Sequence, residues 1–377
     1  MDEQRLNFNK KTSFLLGILL AFLILYFPSK NFEKKNFEEF ALNEGAVVEF
    51  GNENKFNIHC SKLSNLEKCL IDYQILGNNL PVVLWLGNSQ LHVINQFSLG
   101  EKTASKKLHK YLKEQGHYLL TFSQPNSNLQ EQLLIAAYLH QKLPIKNIIL
   151  SMVFDDMREI KIRPDVETIF NDPSLNKFLI NETKSGMKLY NDYVNKYNNK
   201  DIKSNKTISL QENSEKFLND NLENKWKLWS SRGGLRGDIF VSLYKIRNFL
   251  FQINPSSIRK MIPGSYVKNL NALEDLINIS KKKGSNILIY TAPIRSDIKI
   301  PYEISEYENF KNDLNQLSKD FSIRYQNFEN AIPNPFWGKK NSTSINKKEE
   351  IDFMHFRAEG HDLLANIIFK EFNNLID

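Results

Sequence analysis

The sequence predicts an α/β fold, a three-layer αβα arrangement around a mostly parallel sheet, and three observations support this prediction. Short, uniformly apolar runs, typical of strands that are buried on both faces, recur along the chain. Amphipathic helical segments separate these runs, which is the pattern of βαβ units. The alternation stops in a looser middle region and then resumes, which predicts a helical insertion within one sheet.

The elements follow from these patterns in order. The predicted strands lie at residues 82–86, 117–122, 147–154, 286–292 and 323–328. The predicted helices lie at residues 102–115, 129–141, 270–283 and 304–320, with a last amphipathic helix around Leu364, Ile368 and Phe372. The stretch at about 165–270 is rich in Asn and Lys, and we interpret it as a mostly helical insertion.

The composition excludes several classes of protein. The 377 residues are 41% hydrophobic and 25% charged, which is ordinary for a globular chain and argues against global disorder or a polytopic membrane protein. The 50 Lys and Arg residues exceed the 43 Asp and Glu residues by only seven. Because the basic residues are interleaved with acidic ones, nucleic acid is not predicted as a partner.

One N-terminal segment is far more apolar than the rest. Residues 14–27 form fourteen consecutive positions without a charge, preceded by Arg5, Lys10 and Lys11. No small-residue cleavage site follows, so we predict a cytoplasmic tail at 1–12, an uncleaved transmembrane signal anchor at 13–28 and a juxtamembrane linker at 29–77. A buried N-terminal helix is the alternative. The anchor predicts a single-pass membrane protein whose main domain is extracytoplasmic, in the periplasm or at the cell surface.

The two cysteines allow one local bond. Cys60 and Cys69 are nine positions apart, so they predict either a disulfide in an oxidising compartment or two buried thiols. His59 stands beside Cys60, but no second Cys/His pair at ligand spacing occurs in the sequence. We therefore predict no metal and no cofactor.

The first predicted strand leads directly into a serine. It continues into Gly87-Asn88-Ser89-Gln90, and a helix is expected at 91–97, so Ser89 lies at the edge of the sheet where ligands bind in open α/β folds. A serine hydroxyl becomes a good nucleophile only when a base removes its proton. The alternative for Ser89 alone is a helix N-cap.

A candidate base stands near the other end of the chain. Asp352 and His355 are three positions apart in a predicted loop before the last helix, so the carboxylate can orient the imidazole while its other nitrogen faces Ser89. Position 91 is Leu, so the serine does not lie in the G-x-S-x-G elbow of α/β-hydrolases. His361 is a reserve base, and Trp226, Trp229 and Trp337 are candidates for stacking on sugar rings or for packing.

These blocks resemble the SGNH (GDSL-like) hydrolase superfamily, in which a serine follows the first strand and a late D-x-x-H block precedes the last helix. Within it, the chain resembles the membrane-anchored branch of DltD-like proteins and polysaccharide O-acyltransferase-like enzymes. The resemblance covers roughly residues 78–164 and 270–377, and it implies an SGNH/flavodoxin-like catalytic domain at 78–377. It also implies that Ser89 is the nucleophile, His355 the base and Asp352 its orienting carboxylate.

The chain departs from that family where the oxyanion is usually bound. Asn88 replaces the usual Asp, no glycine follows the second strand, and Asp155 and Asp156 stand where an asparagine is expected. A carboxylate cannot stabilise an oxyanion, so backbone N–H groups near Ser89 and other side chains must do so. The candidate oxyanion and substrate-binding residues are Asn88, Asn126, Asn128, Arg158 and Arg295. For Arg295, whose expected ligand is an anionic substrate group, a surface salt bridge is the alternative.

These features predict an extracytoplasmic serine acyl esterase or O-acyltransferase that acts on an envelope or surface glycan through an acyl-serine. The alternative is a catalytically weak module that binds a glycan or a polytopic membrane acyltransferase partner. A lipid-directed esterase differs from the first hypothesis only in its acceptor.

Overall fold

The computed structural model describes residues 47–48, 51–53, 55–77, 79–201, 214, 217–218, 221–222, 242–251, 257–342 and 349–376. The chain divides into two compact units, one formed by Met1–Phe37 and Ser204–Arg247, the other by Glu38–Lys203 and Asn248–Asp377. Every element named below belongs to the second unit. The predicted anchor at 13–28 lies outside the described residues, and within the described part no helix is long and apolar enough to cross a membrane.

The sheet and its covering layers are built from elements that alternate along the chain. In order they are β1 (His59–Cys60), α1 (Leu63–Leu76), β2 (Val82–Gly87), α2 (Ala104–Glu114), β3 (Tyr118–Ser123), α3 (Leu129–His140), β4 (Ile145–Met152), α4 (Pro173–Glu182), α5 (Lys184–Asp201), α6 (Pro263–Lys282), β5 (Asn286–Thr291), α7 (Ile304–Asp320), β6 (Arg324–Asn327), β7 (Trp337–Asn341), β8 (Glu349–Phe356) and α8 (Ala358–Ile376). Shorter pieces are the two-residue strands Val47–Val48, Asn52–Glu53, Phe56–Asn57 and Val93–Ile94, the one-turn helix Pro164–Glu167, and the 3₁₀ turns Ser89–Leu91, Phe154–Met157, Thr168–Asn171 and Asn334–Phe336.

The main sheet has six strands in the order β6-β5-β4-β2-β3-β1, and every neighbouring pair is parallel. The chain pairs β3 with one side of β2 and then returns to pair β4 with the other side. This change of direction is a topological switch point, and it opens a crevice at the carboxyl end of β2. The residues after β2 therefore occupy the position where open α/β sheets bind ligands.

Helices cover both faces of the sheet, as the sequence predicts. Successive side chains of a strand point to opposite faces, and those of β2 divide accordingly. Leu84 and Leu86 join a core with α1, α3, α6 and α7, whereas Val83 and Trp85 join a second core with α2 and α8. All six residues of β2 are buried, as expected for a strand with an apolar layer on each side. The three-layer αβα prediction is confirmed.

Three elements differ from their predictions. β1 pairs with β3, and α1 buries Leu66 and Cys69, so residues 59–76 belong to the α/β unit rather than to a linker. A two-residue edge strand is too short to show periodicity. The helix expected at 91–97 is a 3₁₀ turn followed by Val93–Ile94, which pairs with Val47–Val48.

The D-x-x-H block also differs, because it lies inside β8 rather than in a loop. β8 pairs with β7 in an antiparallel hairpin with a register shift between Trp337 and Lys339. The described part of the insertion is helical through α4 and α5, and it ends before α6, which begins at Pro263 rather than at residue 270. Cys60 and Cys69 form a disulfide that joins β1 to α1.

Candidate active site

Ser89 lies in the tight turn that follows β2. A Cβ added at Gly87 would lie 2.6 Å from Leu91 Cδ1 and 3.1 Å from Ser151 Cβ, so the close approach of this turn to its neighbours requires glycine. Asn88 closes the turn by accepting the backbone N–H of Gln90 at 3.0 Å. The turn places Ser89, half-buried, at the carboxyl edge of the central strand.

Ser89, His355 and Asp352 form one continuous chain of hydrogen bonds. Ser89 Oγ lies 2.9 Å from His355 Nε2, and His355 Nδ1 lies 2.9 Å from Asp352 Oδ2. A carboxylate oxygen only accepts, so Nδ1 carries the proton and Nε2 is left to accept the serine hydroxyl. This is the arrangement in which a histidine can remove the proton of a serine nucleophile.

Asp352 is buried and yet remains ionised. Burial raises the pKa of a carboxyl group, but the charge and hydrogen bond of His355 and the nearby charge of Lys340 oppose this effect and hold the Asp352 pKa at about 2. Its Oδ1 accepts the backbone N–H groups of Met354 at 2.9 Å and of His355 at 3.1 Å. The carboxylate is therefore available to orient His355 throughout the neutral pH range.

Asn95 is a buried residue of the site that the sequence did not indicate. Its side-chain amide donates to Asp352 Oδ2 at 3.2 Å, and its Oδ1 accepts the backbone N–H of Lys339 at 3.3 Å. A Cβ at Gly338 would come within 2.0 Å of the Asn95 side chain, so glycine is required for β7 to approach this closely. A lone Asn after the apolar pair Val93-Ile94 carries no signal that it will contact a residue so far along the chain.

Gln90 is a second buried residue that the sequence did not indicate. Its Nε2 donates to the backbone carbonyls of Pro293 at 2.8 Å and Met354 at 2.9 Å. These two bonds tie the turn that holds Ser89 to β8 and to the segment after β5. They fix the distance between the serine and its base.

The predicted oxyanion residues are not all available for that role. The side-chain amide of Asn88 donates to Asp156 Oδ2 at 2.9 Å, and both residues are buried. Asn128 caps α3 through the N–H of Glu131 and donates to the carbonyl of Lys161. Asn126 is exposed, with a positive φ of 50°. The structure thus commits Asn88 and Asn128 to structural hydrogen bonds, a correction to their predicted role.

The backbone N–H of Ser89 is a candidate oxyanion donor. Within the described residues the N–H of Ser89 makes no hydrogen bond, whereas those of Gln90 and Leu91 are taken by Asn88. Burial raises the pKa of Asp156 well above its usual range, and the Asn88 amide that bonds it opposes this shift. The Asn88–Asp156 hydrogen bond thereby ties the turn that holds Ser89 to the segment after β4.

The two predicted arginines both form ion pairs. Arg158 donates to Asp155 Oδ1 at 3.1 Å and to the carbonyl of Lys260 at 2.8 Å. Arg295 forms a bidentate salt bridge with Asp297, at 2.5 and 2.9 Å. A salt bridge is the alternative that the sequence allows for this arginine. Its backbone N–H also donates to the carbonyl of Phe353 in β8.

His361 and Trp337 have packing roles. His361 is buried, donates from Nε2 to the carbonyl of Val93 and accepts the N–H of Ala104 at Nδ1, so both ring nitrogens are used by the backbone. Burial lowers its pKa to about 4. Trp337 is buried against Phe356 and donates to the carbonyl of Ile332. Trp226 and Trp229 lie outside the described residues.

The fold and site together define a parallel α/β protein with a Ser-His-Asp array at a topological switch point. The sequence matches no family model and no curated protein. Among solved structures it is similar to a GDSL-like lipase from Bacteroides thetaiotaomicron, with 9% identity, coverage of 81% of this chain and 97% of that chain, and a TM-score of 0.35.

Two further solved structures are similar to the same extent. TesA has 9% identity, a TM-score of 0.38 and coverage of 78% of this chain and 99% of its own. A catalytic mutant of an acetylxylan esterase from Geobacillus stearothermophilus has 8% identity, a TM-score of 0.37 and coverage of 77% and 93%.

Proposed function

We propose that this protein is a serine acyl esterase or O-acyltransferase of the SGNH type that works through an acyl-serine intermediate. The observation that carries the proposal is the unbroken hydrogen-bonded chain from Ser89 through His355 to the ionised Asp352. The three groups stand in the order and at the hydrogen-bond distances that nucleophilic catalysis needs.

The chemistry follows from the hydrogen bonds. His355 Nε2 removes the proton of Ser89 as Oγ attacks the ester carbonyl carbon, and the Ser89 N–H donates to the developing oxyanion. The intermediate collapses when His355 protonates the leaving alcohol, which leaves the acyl group on Ser89. His355 then deprotonates the acceptor that attacks the acyl-serine, the bond between the acyl carbon and Ser89 Oγ breaks, and His355 returns the proton to Oγ. Asp352 stabilises the imidazolium in both halves.

Hydrolysis and transfer share the first half-reaction and differ only in the acceptor. We propose a hydroxyl group of an envelope or surface glycan as the acceptor in transfer, and water in hydrolysis. The proposed site of action is extracytoplasmic, at the cell membrane. The disulfide between Cys60 and Cys69 supports an oxidising compartment, and the apolar run at 14–27 supports a membrane anchor.

The test is activity towards phenyl acetate together with labelling by a fluorophosphonate. We expect Ser89→Ala and His355→Ala each to lower kcat/KM by roughly a thousandfold or more. Mass spectrometry should locate the phosphonyl adduct on Ser89. Ser98→Ala is the matched control, because Ser98 is exposed and its hydrogen bonds among the described residues, both to Glu101, use its backbone N–H and carbonyl rather than its hydroxyl. Unchanged activity of Ser89→Ala, or labelling elsewhere, would overturn the proposal.

The catalytically weak binding module is the second candidate. It is supported by Asp155, which stands where the SGNH resemblance expects an oxyanion asparagine, and by the structural use of Asn88 and Asn128. For this candidate, wild type and His355→Ala would show equal, background ester cleavage and equal binding of a glycan or of the polytopic membrane partner.

A further inference from the structure

Phe353, the residue directly after Asp352, carries two positive charges close to its ring. Arg259 Cζ lies 5.2 Å and Lys340 Nζ lies 5.3 Å from the ring centroid. Both distances are within the range of cation–π attraction. Phe353 directly follows Asp352 and lies two positions before His355, so the ring that both cations approach belongs to the strand that carries the base and its carboxylate.

Arg259 is held in place but most of its donors are unused. Its Nη1 donates to Asp155 Oδ2, which also accepts the hydroxyl of Tyr302 at 3.1 Å. The backbone N–H of Arg259 donates to the carbonyl of Pro301, and its carbonyl accepts the N–H of Glu303. A guanidinium carries five N–H donors. Over the described ranges Nη1 is the one Arg259 side-chain nitrogen that makes a hydrogen bond, so the group is oriented and still able to bind a ligand.

Asp155 connects this arginine to the turn that holds the nucleophile. Asp156, the next residue, accepts the hydrogen bond of Asn88, which precedes Ser89. Asp155 itself divides its two oxygens between Arg259 and Arg158, so one carboxylate faces two guanidinium groups. The carboxylate that replaces the expected asparagine therefore anchors two cations at the carboxyl edge of the sheet.

Lys340 differs from Arg259 in having no direct ion pair with a carboxylate among the described residues. It is half-buried and forms no ion pair with any carboxylate in the part of the chain that the structure describes. Its neighbour Lys339 is exposed and pairs with Glu349 at 3.4 Å. Glu350 stands opposite Lys340 in the hairpin, but its Oε1 accepts the hydroxyl of Ser342. The Lys340 ammonium is therefore available to an anion that enters the site.

We propose that Arg259 and Lys340 form an anion-binding subsite that recognises a carboxylate on the ester substrate, next to the bond that Ser89 attacks. This inference rests on the proposed function and names its substrate class, an acyl ester of an acidic molecule. The subsite offers charge-assisted hydrogen bonds from the free donors of Arg259 and from the Lys340 ammonium. Asp352 does not compete for them, because His355, Asn95 and two backbone N–H groups occupy its oxygens.

The test compares two esters that differ by one charge, phenyl acetate and 3-acetoxybenzoate. The quantity measured is the ratio of their kcat/KM values, because the ratio within one enzyme variant removes effects on the common catalytic machinery. We expect Lys340→Gln to lower the preference for 3-acetoxybenzoate roughly tenfold or more, and Lys340→Arg to restore most of it. The matched control is Lys339→Gln, which should leave the ratio at the wild-type value.

A third ester, phenyl hydrogen succinate, places the carboxylate on the acyl side. A Lys340-dependent preference for either acidic ester supports the subsite. The ester that shows the preference tells whether the subsite binds the acyl part or the alcohol part of the substrate. If neither ratio changes in Lys340→Gln, while cleavage of phenyl acetate still requires Ser89, the subsite is wrong and the proposed function stands. If cleavage of phenyl acetate is the same in wild type and Ser89→Ala, the proposed function itself fails.

Discussion

The side-chain amide of Asn95 donates a hydrogen bond to Asp352 Oδ2, the same oxygen that accepts the Nδ1 proton of His355. Asn95 is fully buried, and the backbone N–H of Lys339 fixes which way its amide points. Asn95 therefore acts through Asp352 and is a positioning residue for the imidazole.

Removing this amide is expected to impair catalysis more than binding. In Asn95→Ala the carboxylate loses one of its donors, so we expect kcat for phenyl acetate to fall roughly tenfold to a hundredfold with KM little changed. Steady-state kinetics give the two constants separately. A variant with wild-type kcat would show that the Asp352 carboxylate needs no support from Asn95.

A methyl group at Gly338 is expected to disturb the same Asn95 amide. The added Cβ would overlap the Asn95 side chain, so Gly338→Ala should displace it and lower both activity and the free energy of unfolding, the latter by about 1–3 kcal/mol. Gly264→Ala is the matched control, because no atom lies within 4 Å of a Cβ at that position. Equal stability of the two variants in urea would contradict the close approach.

The two hydrogen bonds of Gln90 are expected to set the distance between nucleophile and base. Gln90→Met keeps the length of the side chain and removes both bonds to the carbonyls of Pro293 and Met354. Leaving these carbonyls without donors should cost about 1–3 kcal/mol of stability and lower kcat. Gln115→Met, at an exposed position, is the control for the substitution itself. Wild-type stability and kcat in Gln90→Met would argue against this role.

Buried neutral histidines should make the fold sensitive to acid. Burial lowers the pKa of His59 to about 3 and those of His140 and His361 to about 4. Below the unfolded-state pKa near 6.5 the unfolded chain takes up protons that the folded chain does not, so stability falls as the pH decreases from about 6.5 towards 4. Each histidine contributes a slope of about 1.4 kcal/mol per pH unit in that window.

Urea unfolding at several pH values measures this slope. We expect His361→Gln to be less stable than wild type at neutral pH. Between pH 6 and 4.5 its free energy of unfolding should fall less steeply than that of wild type, by about 1.4 kcal/mol per pH unit. Asp352 acts in a separate window, because its folded pKa of about 2 means that its contribution is lost as the pH falls from about 4 towards 2. An unchanged slope in His361→Gln would show that His361 does not resist protonation in the fold.

The disulfide is expected to stabilise the edge of the sheet. Cys60 and Cys69 are both buried and close a loop of nine positions between β1 and α1. The chain-entropy estimate for such a loop is about 2–3 kcal/mol, so the Cys60→Ser, Cys69→Ser double variant should unfold at lower urea concentration. Wild type treated with a reductant should match it. Equal midpoints for oxidised and reduced protein would contradict this contribution.

The features that could be predicted from the sequence are those with local patterns. The sequence predicts five main strands because apolar runs such as 82–86 are distinctive. It predicts that Ser89, Asp352 and His355 meet because each stands in a short block at a predicted strand or helix boundary, and the structure joins these three side chains by hydrogen bonds. The sequence does not predict β1, because two residues carry no periodicity, or β8, because its pairing with β7 depends on a distant register.

The site residues that the sequence does not indicate lack a local pattern for a different reason. Asn95, Gln90 and Arg259 act through contacts with residues 257, 264 and 104 positions away, so nothing in their own neighbourhood marks them. Asn88 and Asn128 were assigned to the oxyanion from their position after a strand. Both instead satisfy backbone groups at turns and helix starts, the commonest use of asparagine there.

The separation of the serine from its base along the chain has a consequence for folding. Ser89 and His355 are 266 positions apart, so the base is synthesised long after the strand that leads into the serine. Contacts of such long sequence range form late and slowly. For most of the elongation time the serine therefore has no base to activate it. The chain acquires its reactive hydroxyl in one of its last assembly steps.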